Sequence, residues 1–357
     1  MEIYQQKNNI REKADNFIEE LKNALSEAED KDREGIVQKY YEKALESKYS
    51  YLCYVFAKEF QDYLNKFQTR KLGNIVLKSG DIPLNYEFSR NVWLADKDEH
   101  LLLLLESGND LYINAFMEFV EGANVGMYLE YVAETKRTCD NIEAIRKYYY
   151  SNEDISANVR AVAKRGSVYE NFEVILMLES TMTIENQKMI AKRGDVNDNI
   201  AIIQCNPHDL KMHAKVVAKK GAPEACHDFI LSAIDEYQEF LNEEDIEPCI
   251  RKILASKNIQ CIFNIAISLE PQNLEEYAKK IVESKDLLFN LLAYENWPDK
   301  SEEVLQGFKK VVQSYPRKEV EQIGMFKLEL DHKTMRGVAS KYYDNQGNKN
   351  NDGDENE

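Results

Sequence analysis

The sequence predicts an all-α chain of stacked helical hairpins, an α-solenoid of nine or ten units, on three observations. The composition favours helix, with 14 Gly and 7 Pro among 357 residues and an abundance of Glu, Lys, Ala, Leu and Ile. A short motif recurs about every 28 residues along most of the chain. Apolar residues stand at fixed offsets from that motif. Length agrees: a single hydrophobic core stops growing near about 250–300 residues, so this chain needs two domains or an elongated stack.

Taken in order, residues 1–43 form an N-terminal helical cap, with helices over Asn9–Ala28 and Arg33–Leu45 on either side of Asp30-Lys31-Asp32. A stack of helices needs such a polar-faced end. The repeats fill residues 44–315. Fragments such as Leu104-Leu105-Glu106-Ser107-Gly108 and Val162-Ala163-Lys164-Arg165-Gly166 recur nine times. Their last residues, here termed anchors, are Lys48, Gly80, Gly108, Lys136, Gly166, Gly194, Gly221, Lys257 and Lys285. A tenth, degenerate copy is Val311-Val312-Gln313-Ser314-Tyr315. Eight residues past the anchors stand Phe56, Phe88, Phe116, Ala144, Val174, Ile202, Phe229, Ile265 and Ala293, all apolar.

Each unit therefore reads as two helices of about ten residues. The apolar pair at positions −4 and −3 closes the first helix. The anchor stops it: Gly takes a left-handed cap without a Cβ penalty, and a neighbouring Lys or Arg suits the negative helix end. The second helix buries positions +5, +8 and +9, an i, i+3, i+4 stripe. Neither helix buries its stripe alone, which drives the units to stack. Pro207, Pro223, Pro271 and Pro298 fall at predicted breaks. Residues 316–343 form a C-terminal helical cap. Residues 344–357 are polar and acidic with no apolar residue, and are expected to be a disordered tail.

This organisation resembles the HEAT-like and armadillo-like helical-repeat proteins at the level of architecture. The unit is shorter than theirs and carries none of their diagnostic strings. The resemblance implies a right-handed stack and a long binding surface, and names no ligand.

Several function classes are disfavoured. Forty-six basic against 63 acidic residues give −17, which opposes general nucleic-acid or anionic-membrane binding. Apolar runs such as Leu101–Leu105 fall far short of the about 20 residues of a membrane span. The polar N-terminus does not read as a signal peptide. Six cysteines with no C-x-x-C spacing read as reduced thiols of a cytoplasmic protein. The P-loop, G-x-G-x-x-G, G-x-S-x-G and H-E-x-x-H patterns are missing. Cys205, His208, His213, Cys226 and His227 cluster in sequence but match no zinc spacing. Carboxylate pairs such as Glu243-Glu244 read as a solvated face. No catalytic residue, cofactor or metal is expected.

Two ladders carry the functional reading. Lys164-Arg165, Lys192-Arg193 and Lys219-Lys220 occupy the same two positions in three successive units, with Lys136 and Arg137 at the unit before. At helix packing distances of about 10 Å these would form a basic ridge. Residues 157–222 hold ten basic and seven acidic groups, while 73–135 hold three and eleven. The ridge reads as helix capping, as a dock for an acidic protein segment, or as a phosphate contact; stacking aromatics are sparse there (Tyr169, Phe172). The second ladder is Asn85, Asn141, Asn171, Asn199 and Asn290 at position +5. An amide on a core-facing stripe needs partners. The armadillo resemblance implies that Asn141, Asn171 and Asn199 grip a peptide backbone; otherwise they bond turn carbonyls. Tyr40-Tyr41, Tyr148-Tyr149-Tyr150 and Tyr342-Tyr343 add amphipathic surface. The expectation is a non-enzymatic cytoplasmic scaffold that binds a protein or peptide. The alternatives are an acidic inhibitor that mimics nucleic acid through its flanks, or a DNA glycosylase-type enzyme of the HEAT-like kind.

Overall fold

A computed structural model describes residues 2–237, 240–269, 274–297, 301–316, 318–320 and 322, with side chains from Arg11 onward. Most of the predicted C-terminal cap and the whole tail lie outside the described residues, as do Pro271, Pro298 and Tyr342-Tyr343. Among the described residues all regular structure is helical. The chain forms two compact units that divide after Asn158, a boundary that composition does not mark.

The first unit contains α1 (Glu2–Glu27), α2 (Asp30–Ser47), α3 (Ser50–Glu59), α4 (Lys66–Lys78), α5 (Ile82–Asn91), α6 (Lys97–Ser107), α7 (Asp110–Phe119), α8 (Val125–Thr135) and α9 (Thr138–Tyr148). Helix α10 (Ser156–Arg165) starts in the first unit and ends in the second. The second continues with α11 (Val168–Met177), α12 (Ile184–Arg193), α13 (Val196–Ala201), α14 (Leu210–Lys220), α15 (Pro223–Tyr237), α16 (Glu243–Leu254), α17 (Ile259–Leu269), α18 (Leu274–Ser284), α19 (Leu287–Asn296) and α20 (Glu302–Gln313). The expected break at Asp30-Lys31-Asp32 sits slightly earlier. Glu29 is the N-cap, and Asp30 and Asp32 occupy the first turn of α2, where the positive helix end favours acids.

Within each unit the helices form two layers. In the first, α2, α4, α6 and α8 pack in succession, as do α1, α3, α5 and α7. In the second, α12, α14 and α16 form one row, to which α18 and α20 add a further pair, and α13, α15, α17 and α19 the other. Burial follows the anchors. The nine residues at −4, the nine at +5 and the nine at +8 are each at most 3 % exposed. Aromatic rings at +8 (Phe56, Phe88, Phe116, Phe229) are fully buried, and each contributes about 1.5–3 kcal/mol by leaving water.

The helix stops are of two kinds. Where Ser precedes the anchor (Ser47, Ser79, Ser107, Ser256, Ser284), its hydroxyl donates to the carbonyl at −4, at 2.6–2.7 Å. The same oxygen accepts the N–H two residues on, at 3.0–3.2 Å. Ser314 repeats the first of these bonds in the degenerate copy. In four of these units the chain leaves in the left-handed region, at Lys48, Gly80, Gly108 and Lys285. The Lys/Arg-Gly anchors behave differently from expectation. Gly194 has φ −67° and ψ 158°, and Gly221 φ −88° and ψ 164°, both extended.

Glycine is needed there for space. The N–H of Gly166, Gly194 and Gly221 reaches the −4 carbonyl at 2.7 Å. A Cβ on Gly194 would stand 2.6 Å from the Ile190 oxygen. Gly194→Ala is therefore expected to destabilise the chain by about 1–3 kcal/mol, the overpacking range. Gly35→Ala, in α2 with nothing within 4 Å of the added carbon, should stabilise by about 0.5–1 kcal/mol. Urea unfolding of the two variants checks this; equal effects would remove the steric account.

Candidate functional site

The structure separates the predicted basic residues by role. In the second unit, Arg193 in the last turn of α12 donates to the carbonyls of Gly166 (2.8 Å) and Lys164 (2.9 Å). Lys220 in the last turn of α14 donates to the Gly194 carbonyl at 2.9 Å. Each thus closes the carbonyl end of the equivalent helix one repeat back, α10 for Arg193 and α12 for Lys220, whose last oxygens have no partner within their own helix. The first members of the pairs are different. Lys164, Lys192 and Lys219 are exposed, and none forms an ion pair among the described residues. Arg165 is also exposed and makes an interaction of its own. The second unit therefore carries a row of three lysines at one repeat position, on the ends of α10, α12 and α14.

In the first unit, Lys136 and Arg137 line a cleft of about 440 Å³ between α7, α8 and α9. The Lys136 ammonium pairs with Asp110 and lies 5.1 Å from the centre of the Tyr131 ring. Arg137 pairs with Asp140 at 3.3 Å. Tyr128 packs edge-on against Tyr148 on the cleft wall, with ring centres 6.1 Å apart, and burial pushes its hydroxyl up to about 12. Both cations are thus matched locally by carboxylates. Tyr150, next to this wall in sequence, is 88 % exposed.

The asparagine ladder is buried and internal. Asn85, Asn141 and Asn290 donate to the −4 carbonyls of their own units, Val76, Val132 and Ile281, at 3.2, 3.1 and 2.8 Å. Asn171 donates to Gly166 and Ser167, and Asn199 to Asp195. At Gly166 and Gly194 the glycine N–H lies 2.7 Å from the −4 carbonyl, and the amides of Asn171 and Asn199 donate to later oxygens instead. Asn141, Asn171 and Asn199 are 0 % exposed. Their amides support the backbone of their own turns.

Their oxygens meet residues that the sequence reading did not connect with them. Asn85 faces His100 Nδ1 at 2.7 Å, Asn141 accepts from Asn158 at 3.0 Å, Asn171 accepts from Asn186 at 3.0 Å, and Asn199 faces His213 Nδ1 at 2.8 Å. All four partners stand at position −8 of the following unit. Other side-chain types occupy the same two positions elsewhere. Cys53 is followed by Leu72, Cys226 by Cys249, Ile113 by Tyr128 and Ile262 by Tyr277. Each pair shares a core cluster; the Cys249 thiol donates to the Ala214 carbonyl at 3.4 Å, and the neighbouring Cys226 together with burial pushes Cys249 up. The last match is Gly307, which has no side chain, and Asn290 Oδ1 is buried without a hydrogen bond among the described residues. The signal was available: His or Asn recurs 14–17 residues after a +5 Asn.

The Cys and His residues near position 205–227 do not assemble. His213 is engaged by Asn199 and Cys226 by Cys249, and no three His, Cys, Asp or Glu side chains gather among the described residues. No described helix is long and apolar enough to cross a membrane. A scan of family models finds no match to this chain, and neither does comparison with curated proteins or with solved structures.

Proposed function

We propose that the chain is a non-enzymatic, cytoplasmic binding scaffold of the helical-repeat kind, a solenoid built on a unit of about 28 residues. It engages an acidic segment of a protein partner through the second unit. The observation that carries this reading is the division of labour among the central cations. Arg193 and Lys220 hold backbone carbonyls, whereas Lys164, Lys192 and Lys219 stand exposed without an ion pair among the described residues. Helix ends alone favour a cation by about 0.3–1 kcal/mol, and Arg193 and Lys220 already supply that at the ends of α10 and α12. A row of like charges at one repeat position matches an extended acidic chain in sign. The mixed pairing of Lys136 and Arg137 makes the first-unit cleft the weaker anion site.

The test uses fluorescein-labelled polyglutamate and a 20-nucleotide single strand as probes, read by anisotropy. Combined Lys164→Glu, Lys192→Glu and Lys219→Glu should weaken polyglutamate binding at least tenfold, about 1.4 kcal/mol, with the far-ultraviolet circular dichroism unchanged. Tighter binding of the oligonucleotide would move the reading to phosphate recognition. Polyglutamate affinity that is unaltered in the triple variant would end it.

A further inference from the structure

Position −6 is charged or polar in eight of the nine units: Glu42, Asn74, Glu130, Arg160, Lys188, Lys215, Arg251 and Lys279. The ninth is Leu102, and it is 48 % exposed. An aliphatic side chain placed where every other unit keeps a solvated one is a departure that the helix-packing pattern does not require. It lies beside a groove of about 510 Å³ between α6 and α8 in the first unit. The floor is Leu102, Leu105, Met127 and Tyr131, spaced i, i+3 on one helix and i, i+4 on the other. Glu106 and Glu130 stand on its rim, both exposed and neither in an ion pair among the described residues. No basic side chain lines the groove.

The charge around it is as biased as the floor. Residues 73–135 carry eleven acidic and three basic groups. Position −2 is Glu106 and Glu134 in the two repeats that form the groove and Lys164, Lys192 and Lys219 in the three repeats that follow, so the charge at this repeat position reverses immediately beyond the groove.

We infer that the α6–α8 groove of the first unit docks a basic amphipathic helix of a partner protein. Two apolar side chains one turn apart on that helix enter between Leu102 and Tyr131, and flanking Lys or Arg residues face Glu106 and Glu130. The apolar floor supplies burial and the rim selects cations, as in other helix-in-groove recognition. The charge complementarity commits the occupant: an acidic or neutral helix would bring its own carboxylates against the rim. This site is independent of the lysine row, which takes the opposite sign of partner.

The probe is a labelled 16-residue helical peptide of Leu and Lys with the leucines on one face, compared with its Leu and Glu counterpart. Binding is read by anisotropy in the full chain at 50 and 300 mM salt. The Leu/Lys peptide should bind and the Leu/Glu peptide should not. Leu102→Lys, which installs the residue type of the equivalent Lys188, Lys215 and Lys279 without disturbing a buried position, should weaken binding at least tenfold. Glu106→Lys with Glu130→Lys should do the same, and more strongly at 50 mM salt. Glu275→Lys with Glu276→Lys, an equal change of net charge on α18, should leave binding within twofold. Equal losses in the rim and α18 variants would reduce the effect to net charge and overturn the site, as would a Leu102→Lys chain that binds normally, or no binding of the Leu/Lys peptide at all.

Discussion

Acidification from pH 7.5 to 4.5 is expected to remove about 2–3 kcal/mol of stability for each of two histidines, one in each unit. Replacing them with asparagine should restore that share. His100 and His213 are 1 % and 0 % exposed. Burial lowers each to about 4, against the smaller opposing pull of Asp96 and Asp209 respectively. The surrounding amides fix the tautomer. Asn85 and Asn199 use their N–H groups on carbonyls, so their oxygens face the rings and Nδ1 carries the hydrogen. His213 Nε2 is then buried with no hydrogen bond among the described residues. A proton there would add a charge with no acceptor. In the unfolded chain each ring protonates near 6.5; in the fold it resists until about 4. Between those values the unfolded state binds more protons. Stability is therefore full above pH 7, falls as pH drops through the window, and levels off below it. His227, lowered by burial beside Asp228, adds in the same direction. Urea unfolding across pH for wild type, His100→Asn and His213→Asn checks this. Asn is the residue that two other units carry at this position, so the variants should fold. Identical pH profiles for all three chains would refute the account.

The second large effect is expected from Asn199→Ala. It removes a fully buried amide, leaves the His213 Nδ1–H without its acceptor and opens a small cavity. Each buried polar group left unpaired costs about 1–3 kcal/mol, so about 3 kcal/mol in total is expected from chemical denaturation. The double change Asn199→Cys with His213→Leu copies the natural Cys53–Leu72 match, and should recover most of the loss because no polar group is left behind. A double variant as unstable as the single one would mean that the pair is not the unit of stabilisation. Retained stability in Asn199→Ala together with lost partner binding would restore the peptide-gripping role for this ladder.

Much of the fold was legible because periodicity reports burial. Positions −4, +5 and +8 could be read from the anchors alone, and Val162, Asn171 and Val174 show how regularly the side chains obey. Chemistry that depends on which neighbour sits across the gap was less legible. Gly80 and Gly194 look alike in sequence, yet one turns left-handed while the other avoids a clash with a carbonyl; both demands select glycine. Lys192 and Arg193 look like one ridge, but adjacent residues on a helix point about 100° apart, so one reaches back to the preceding unit while the other faces water. The meeting of Asn199 with His213 requires knowing that position +5 of one unit touches position −8 of the next.

That matching has a bearing on how the chain avoids folding errors. Near-identical units can in principle pair out of order, a common failure of repeat proteins. Here most adjacent junctions carry different addresses. If a unit were skipped, Ile113 would face the amide of Asn158, and Cys53 would face His100, leaving a buried polar group unanswered at about 1–3 kcal/mol. Asn85–His100 recurs at Asn199–His213, and Ile113–Tyr128 at Ile262–Tyr277, but in each case farther along the chain; among adjacent junctions only Asn141–Asn158 and Asn171–Asn186 share an address, so the middle of the chain is where the order of assembly is least protected.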